Sequence, residues 1–253
     1  MRHAEVAYFE PDGRPVRPDV VSLTDKGENQ ARAMRDALAG VHFDRSITSG
    51  LPRTLETARI MAPRLEPESW PDLRELEAGR LDDIPEEDVE QAFTGVFRGV
   101  VPEGTRFLGG ETIGSLLDRV VPAVERLAGE DGWDTALAVL HGGVNRAILS
   151  YTLTGKRRFL GSFEQSPACM NILDAGAEDW VVRAVNVTPY DLAHLSGRQT
   201  TMEQLYSEYL PYRTQSGGGA GVVPAPPAWL VDCSSGPWTA ARTRSRCESC
   251  SST

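Results

Sequence analysis

The sequence is short of basic charge, of cysteine and of long apolar runs. Its 26 Lys and Arg face 36 Asp and Glu, a net charge of −10. That balance argues against a nucleic-acid binder, which needs a basic face to neutralise phosphates. No apolar run approaches the ~18 to 20 residues of a membrane span, and the first residues do not read as a signal peptide. Among the four Cys, Cys247 and Cys250 form one C-x-x-C pair with no second, too few ligands for a zinc site. A G-x-S-x-G elbow and a G-x-x-x-x-G-K-[ST] loop are also missing, which removes the serine-hydrolase and phosphate-loop readings. With hydrophobic residues at 40% and charged residues at 25%, what is left is an ordinary globular composition. A soluble, cytoplasmic, acidic protein is expected, with no nucleic-acid or membrane partner.

At roughly 150 residues per domain, 253 residues allow one or two. The composition divides the chain near residue 213. Residues 214–253 hold 5 Gly, 7 Ser and 4 Pro, three of the four Cys and a net charge of +1, leaving −11 on residues 1–213. Ser216 to Gly221, followed by Pro224 to Pro227, reads as a flexible and then stiff linker. The rest of the tail lacks periodicity and reads as disordered, with incidental cysteines; a shifted reading frame is one possible origin. Residues 1–213 therefore form the expected domain.

Within it, Thr24 or Asp25 caps an expected helix over 26–39, stopped by Gly40. A strand is expected over 43–48, and a helix from Pro52 to about Met61, ended by Pro63. The acidic stretch 82–90 reads as a loop into a short helix. The strongest helical pattern covers 111–127, with Ile113, Leu116, Leu117, Val120, Val124 and Leu127 on one face and a kink expected at Pro122. Residues 135–140 form a continuous apolar run, as in a strand buried on both faces, followed by a helix over 144–153. Strands over 170–173 and 180–187 are joined by a turn near Gly176. This alternation predicts an α/β fold, a three-layer α/β/α sandwich over a mainly parallel central sheet, without internal repeats.

Ligands in such folds bind at the carboxyl ends of strands. Four segments place polar residues at strand-to-helix junctions: Arg2-His3-Ala4-Glu5, Ser49-Gly50-Leu51-Pro52-Arg53, Leu73-Arg74-Glu75 and His141-Gly142-Gly143. Two His, two Arg and one Glu suit one task well. They can bind a phosphoryl group, take it onto an imidazole nitrogen and protonate the leaving oxygen.

Six ordered motifs carry a family resemblance. They are R-H-A-E at 2–5, L-T-D-K-G-E-N-Q-A at 23–31, T-S-G-L-P-R-T-L-E-T-A at 48–58, L-R-E-L-E-A-G at 73–79, G-G-E-T-I-G-S-L-L-D-R-V at 109–120 and V-L-H-G-G-V-N-R at 139–146. Together they resemble the histidine phosphatase superfamily, the phosphoglycerate mutase-like proteins. The resemblance implies that His3 is the nucleophile and becomes phosphohistidine, with Arg2 and Arg53 as phosphate clamps. It implies His141 as the second imidazole and Glu75 as general acid and then base, with Glu77 a rival two residues on. The amides of Gly142 and Gly143 would add anion donors. Neither metal nor other cofactor is implied, because Arg and imidazole replace the cation. Glu111 reads as a helix N-terminal acid, Arg74 and Arg146 as salt-bridge partners, and His42 and His194 as surface or core residues.

The departures also bear on function. Ala4 replaces the family's Gly, and Val6-Ala7-Tyr8-Phe9 replaces its polar residues after the nucleophile. The loop 10–19 carries Pro11, Pro15 and Pro18 and should stiffly shape the pocket rim. In relatives an apolar central strand leads into R-H; here only Met1 precedes it, so an upstream start is expected. The reading is a metal-independent phosphatase acting on a small phosphorylated metabolite. Its alternatives are a mutase-type isomerase and an inactive phosphate-binding homologue.

Overall fold

The computed structural model describes residues 1–10, 14–176, 179–194 and 199–216. The linker and C-x-x-C readings of the tail lie outside these residues. Strand β1 (Arg45–Thr48) lies between β2 (Glu68–Ser69) and β4 (Ala136–Val139), parallel to both. The β1–β4 register runs from Arg45 opposite Ala136 to Thr48 opposite Val139, so both strands end at the same edge.

Residues 1–3 add a further member on the other side of β4. Arg2 bridges Leu140 in parallel. His3 N–H donates to the Leu140 carbonyl at 2.8 Å and Arg2 N–H to the Cys169 carbonyl at 3.0 Å. The short segment thus hydrogen-bonds on both flanks and occupies the central position that the sequence motif demands. The Met1 ammonium lies inside it, 2.6 Å from the Ala138 carbonyl, and burial lowers its pKa to about 6. Beyond Cys169, β6 (Met170–Ala175) pairs antiparallel with β7 (Trp180–Val187).

The helices form two covering layers. Helix α1 (Asp25–Ala37) is capped by Thr24, whose Oγ1 accepts from Gly27 N–H at 3.0 Å. Helix α2 (Pro52–Met61) begins with Pro at a position where its missing N–H costs nothing. Both bury Ala31, Met34, Ala58 and Met61 against Leu137 and Val139 of β4. The alternate residues of β4, Ala136 and Ala138, face a second core beneath α4 (Ile113–Gly129) and α5 (Gly142–Thr154). The strand therefore has helices on both faces, as its apolar run requires.

The apolar stripe of α4 buries Ile113, Leu116, Leu117, Val120 and Val124, each contributing about 1.5–3 kcal/mol of transfer free energy. Thr112 caps this helix, which stays continuous through Pro122. The acidic stretch forms two single turns leading into α3 (Val89–Thr94). Two-residue strands β3 (Val100–Val101) and β5 (Phe159–Leu160) pair antiparallel nearby.

One element has no counterpart in the sequence reading. Helix α6 (Thr201–Ser216) packs Met202 and Tyr209 onto Ile84, Val89, Phe93 and Leu108, making a third apolar cluster. Pro211 and polar residues on every side hide its periodicity. Its start was nevertheless signalled by Thr200 and Glu203. Thr200 N–H donates to Glu203 Oε2 at 2.8 Å and Glu203 N–H to Thr200 Oγ1 at 3.3 Å, a capping box.

Candidate active site

The shared carboxyl edge of β1, β4 and residues 1–3 brings His3, His141 and Arg53 together. The two imidazole rings lie 5.3 Å apart, edge to face. His3 is 2% exposed, His141 0%, Arg53 2% and Arg2 7%. So much buried cationic and titratable surface is costly unless something anionic occupies its centre.

His3 Nδ1 lies 2.8 Å from the carbonyl of Ala4. A carbonyl only accepts, so Nδ1 carries the proton and Nε2 keeps a free lone pair. Ala4 is fully buried and its φ is not positive, so a methyl group fits where relatives have Gly. The following turn is braced by α1, where Gln30 Oε1 accepts from Glu5 N–H at 3.0 Å. Burial, reinforced by the charges of Arg2 and then Arg53, holds His3 well below the usual imidazole pKa.

His141 precedes α5 directly, and its Nε2 lies 2.8 Å from Ser49 Oγ. Thr54 Oγ1 donates to the Leu51 carbonyl at 2.8 Å and lies 3.1 Å from Ser49 Oγ. With the Thr54 proton committed, Ser49 donates to Thr54 and accepts from His141. Nε2–H is thereby fixed, and Nδ1 is left buried without a protein partner. Burial first, then Arg53, His3, Arg2 and Arg119, depress the His141 pKa.

Each arginine is tethered by one end only. Arg2 Nη1 donates to the Gln165 carbonyl at 2.5 Å and to Thr201 Oγ1 of α6 at 2.7 Å. Arg53 Nη1 donates to the Pro18 carbonyl at 2.5 Å, and its guanidinium lies 5.9 Å from the Tyr8 ring centre. The proline-bearing loop thus reaches the site, as its composition suggested. The Nε donors of both arginines are buried and unpartnered. Two buried guanidinium donors without partners, Arg2 Nε and Arg53 Nε, beside an imidazole with a free lone pair, describe an anion cradle, which His141 Nδ1 can join as a donor only when protonated.

Glu75 sits beside the N-terminus of α5. Gly143 N–H is shared between its two oxygens at 3.1 Å each. A Cβ on Gly143 would lie 2.6 Å from Glu75 Oε1, so glycine is required for this approach. One on Gly142 would lie 3.8 Å from Glu75 Oε2 and 3.9 Å from Arg2 Nε, placing the carboxylate next to the clamp. The Gly143 amide is committed to Glu75, whereas Gly142, first in α5, has one of the helix's unpaired N-terminal amides. Glu77 is exposed.

The other polar residues settle into structural positions. Glu111 holds Arg119 by two bonds of 2.9 Å. Arg146 is buried, donates to the Gly161 and Gly142 carbonyls and lies 3.6 Å from Glu164. Arg74 is exposed with no ion pair among the described residues, so the expected salt bridge forms at Arg146 alone. His42 and His194 are exposed. Ser49 and Arg119 stand inside quoted motifs but were given no role there, and Gln165 and Thr201 were not singled out; Thr201 had a local signal in the adjoining capping box. Among the described residues no helix is long and apolar enough to cross a membrane, and no three metal-ligating side chains are grouped.

The chain resembles characterised phosphatases in sequence and fold. It is 27% identical over 195 residues to "Phosphoserine phosphatase 1" of Hydrogenobacter thermophilus, covering 74% of this chain and 90% of that one. It is 25% identical over 199 residues to "Probable 2-carboxy-D-arabinitol-1-phosphatase" of Arabidopsis thaliana, covering 75% of this chain and spanning 41% of that protein's length. The fold matches the α-ribazole phosphatase of Shigella flexneri with a TM-score of 0.59 at 23% identity, covering 74% of this chain and 94% of that one. The model of the histidine phosphatase superfamily (branch 1) matches residues 1–188, which include His3, His141, Arg2, Arg53 and Glu75, and the chain belongs to that superfamily.

Proposed function

We propose that the protein is a metal-independent phosphatase that hydrolyses a small phosphomonoester through a phosphohistidine on His3. The observation that carries this reading is the cradle: the buried, unpartnered donors Arg2 Nε and Arg53 Nε beside the paired imidazoles of His3 and His141. In the first step His3 Nε2 attacks phosphorus, the bond to the ester oxygen breaks, and Glu75 passes its proton to that oxygen. In the second, Glu75 as carboxylate takes a proton from water, whose oxygen attacks phosphorus. The P–N bond breaks, returning neutral His3, protonated Glu75 and inorganic phosphate. The arginines offset charge on the equatorial oxygens, and His141 Nδ1, taking up the proton that a monoanionic phosphoester brings, donates it to one of them. Proton transfer of this kind is worth ~10²–10⁴-fold.

The site and the relatives support this substrate class, the relatives' names giving phosphoserine, 2-carboxy-D-arabinitol 1-phosphate and α-ribazole phosphate. All are small phosphomonoesters. The test is a panel of phosphorylated metabolites assayed for phosphate release, with His3→Ala as control and acid-labile label on His3 as the intermediate. Phosphate release lost in His3→Ala supports the reading. Isomerised product without release would make the protein a mutase, and no label with no turnover would make it a binding homologue.

A further inference from the structure

Glu75 lies in a loop, and loops do not by themselves hold an acid within a fraction of an ångström of a leaving group. Residues 70–77 follow the two-residue strand β2 and contain only one turn of helix, Pro71–Leu73. What fixes them comes from α4. Arg119 uses all five N–H donors. Nε and one Nη2 proton go to the two oxygens of Glu111 at 2.9 Å each; Nη1 reaches the carbonyls of Asp72 at 2.8 Å and Arg74 at 2.6 Å; the last Nη2 proton reaches the carbonyl of Glu75 itself at 3.3 Å. Three carbonyls of the acid-bearing segment thus converge on one guanidinium.

Glu111 closes the clamp from the other side. Its Oε2 accepts from Glu77 N–H at 3.1 Å, and its own N–H donates to the Glu77 carbonyl at 2.8 Å. This pairing needs close backbone approach, since a Cβ on Gly110 would lie 2.2 Å from the Glu77 carbonyl oxygen. Arg119 and Glu111 are 22% and 15% exposed in their side chains, enough to spare the pair the full desolvation cost of a buried charge. Neither side chain is placed to touch the phosphate: every donor of Arg119 is already spent on Glu111 and the loop. Replacing Arg119 by Lys would not reproduce this geometry, because an ammonium is a point charge without the planar fork.

We propose that Glu111 and Arg119 are positioning residues that set the Glu75 carboxyl against the leaving-group oxygen; this rests on Glu75 being the general acid. The clamp makes no contact with the phosphate, and beyond the small effect of the Arg119 charge on His141 it acts on proton donation to the leaving group. Leaving groups discriminate between these roles. p-Nitrophenolate departs without a proton, whereas the alkoxide of glycerol 2-phosphate requires one.

The test measures kcat/KM on both substrates for the parent, Glu75→Gln, Arg119→Met, Glu111→Gln and the Glu75→Gln/Arg119→Met double variant, with circular dichroism as the check of folding. Arg119→Met should lose about 10- to 100-fold on glycerol 2-phosphate and less than about threefold on p-nitrophenyl phosphate. Glu111→Gln, which leaves the carbonyl bonds of Arg119 in place, should shift the ratio in the same direction by less, and it carries the test if Arg119→Met does not fold. The double variant should be no slower on glycerol 2-phosphate than Glu75→Gln alone, because both changes remove one function. Equal losses on both substrates in the clamp variants, or losses that multiply in the double variant, overturn the proposal. Should Glu75→Gln itself show no leaving-group dependence, the assignment of Glu75 falls, and the clamp's role with it.

Discussion

A histidine that attacks phosphorus, the part proposed for His3, must keep its lone pair at the pH of the reaction. Burial, with Arg2 and Arg53 adding charge that disfavours a proton, keeps the His3 imidazole neutral. The acid limb of kcat/KM assigned to His3 should therefore lie below pH 6.5. Arg53→Met removes one of the two charges. It should raise that limb toward 6.5 while lowering kcat/KM at neutral pH by at least tenfold, the cost of about one charge-assisted hydrogen bond. A pH profile that keeps its limb unmoved would contradict the electrostatic account. Gly143→Ala tests the other half of the site. Its Cβ would lie 2.6 Å from Glu75 Oε1 and 2.9 Å from Cδ1 of the buried Leu76, so the carboxylate should swing away and Leu76 should shift while the fold survives. Hydrolysis of alkyl esters should fall by about 10²-fold, with a loss of about 1–3 kcal/mol in stability from overpacking, as read from kcat/KM beside a melting curve.

At the scale of elements, the site is assembled from pieces whose own stability lies elsewhere. Helix α4 carries the clamp, and its N-terminus depends on Thr112 Oγ1, which accepts from Ser115 N–H at 3.1 Å. Thr112→Ala should cost about 1 kcal/mol in chemical denaturation. Leu117, wholly buried in the same helix, should cost about 2–5 kcal/mol as Leu117→Ala; the contrast separates capping from core packing. Helix α6 contributes differently, by placing Thr201 Oγ1 on Arg2. Periodicity made the long helices and β4 legible, because an apolar stripe or run is a local property of the chain. α6 was not legible that way, since its burial comes from scattered contacts with Phe93, Ile84 and Leu108 that only the packed molecule defines. The candidate site was legible to a similar depth: His3, His141, Arg2, Arg53 and Glu75 stand in recognisable motifs, and so do Ser49 and Arg119, but what those two do, like the part Gln165 plays, depends on partners distant in sequence.

Across the whole molecule, an acidic chain concentrates positive charge at one edge of a sheet. The consequence for stability has a definite sign. His3 and His141 have folded-state pKa values below 6.5, so below pH 6.5 the unfolded chain binds more protons than the folded one. Their contribution is present above pH 6.5 and is lost as pH falls below it, each histidine steepening the slope by up to about 1.4 kcal/mol per pH unit. Thermal unfolding followed from pH 7.5 to 5 should show this decline, and a His3→Asn/His141→Asn variant should flatten it. Inorganic phosphate in the cradle should oppose the decline, because an anion beside the imidazoles favours their charged forms.

Composition and motif order were enough to determine the class of protein: an acidic α/β domain with two imidazoles, two guanidiniums and a carboxylate at strand ends. Those features follow from residue type and spacing, which a linear chain contains in full. Only the tertiary structure decided which atoms are left over. That Arg2 and Arg53 each spend Nη1 on a carbonyl and keep Nε free, that His141 is fixed through Ser49, and that Arg119 holds the loop of Glu75 all depend on contacts between residues tens of positions apart. Hydrogen-bond satisfaction is a property of three-dimensional neighbours, and here the unsatisfied Nε donors of Arg2 and Arg53 are what the proposed phosphate would meet.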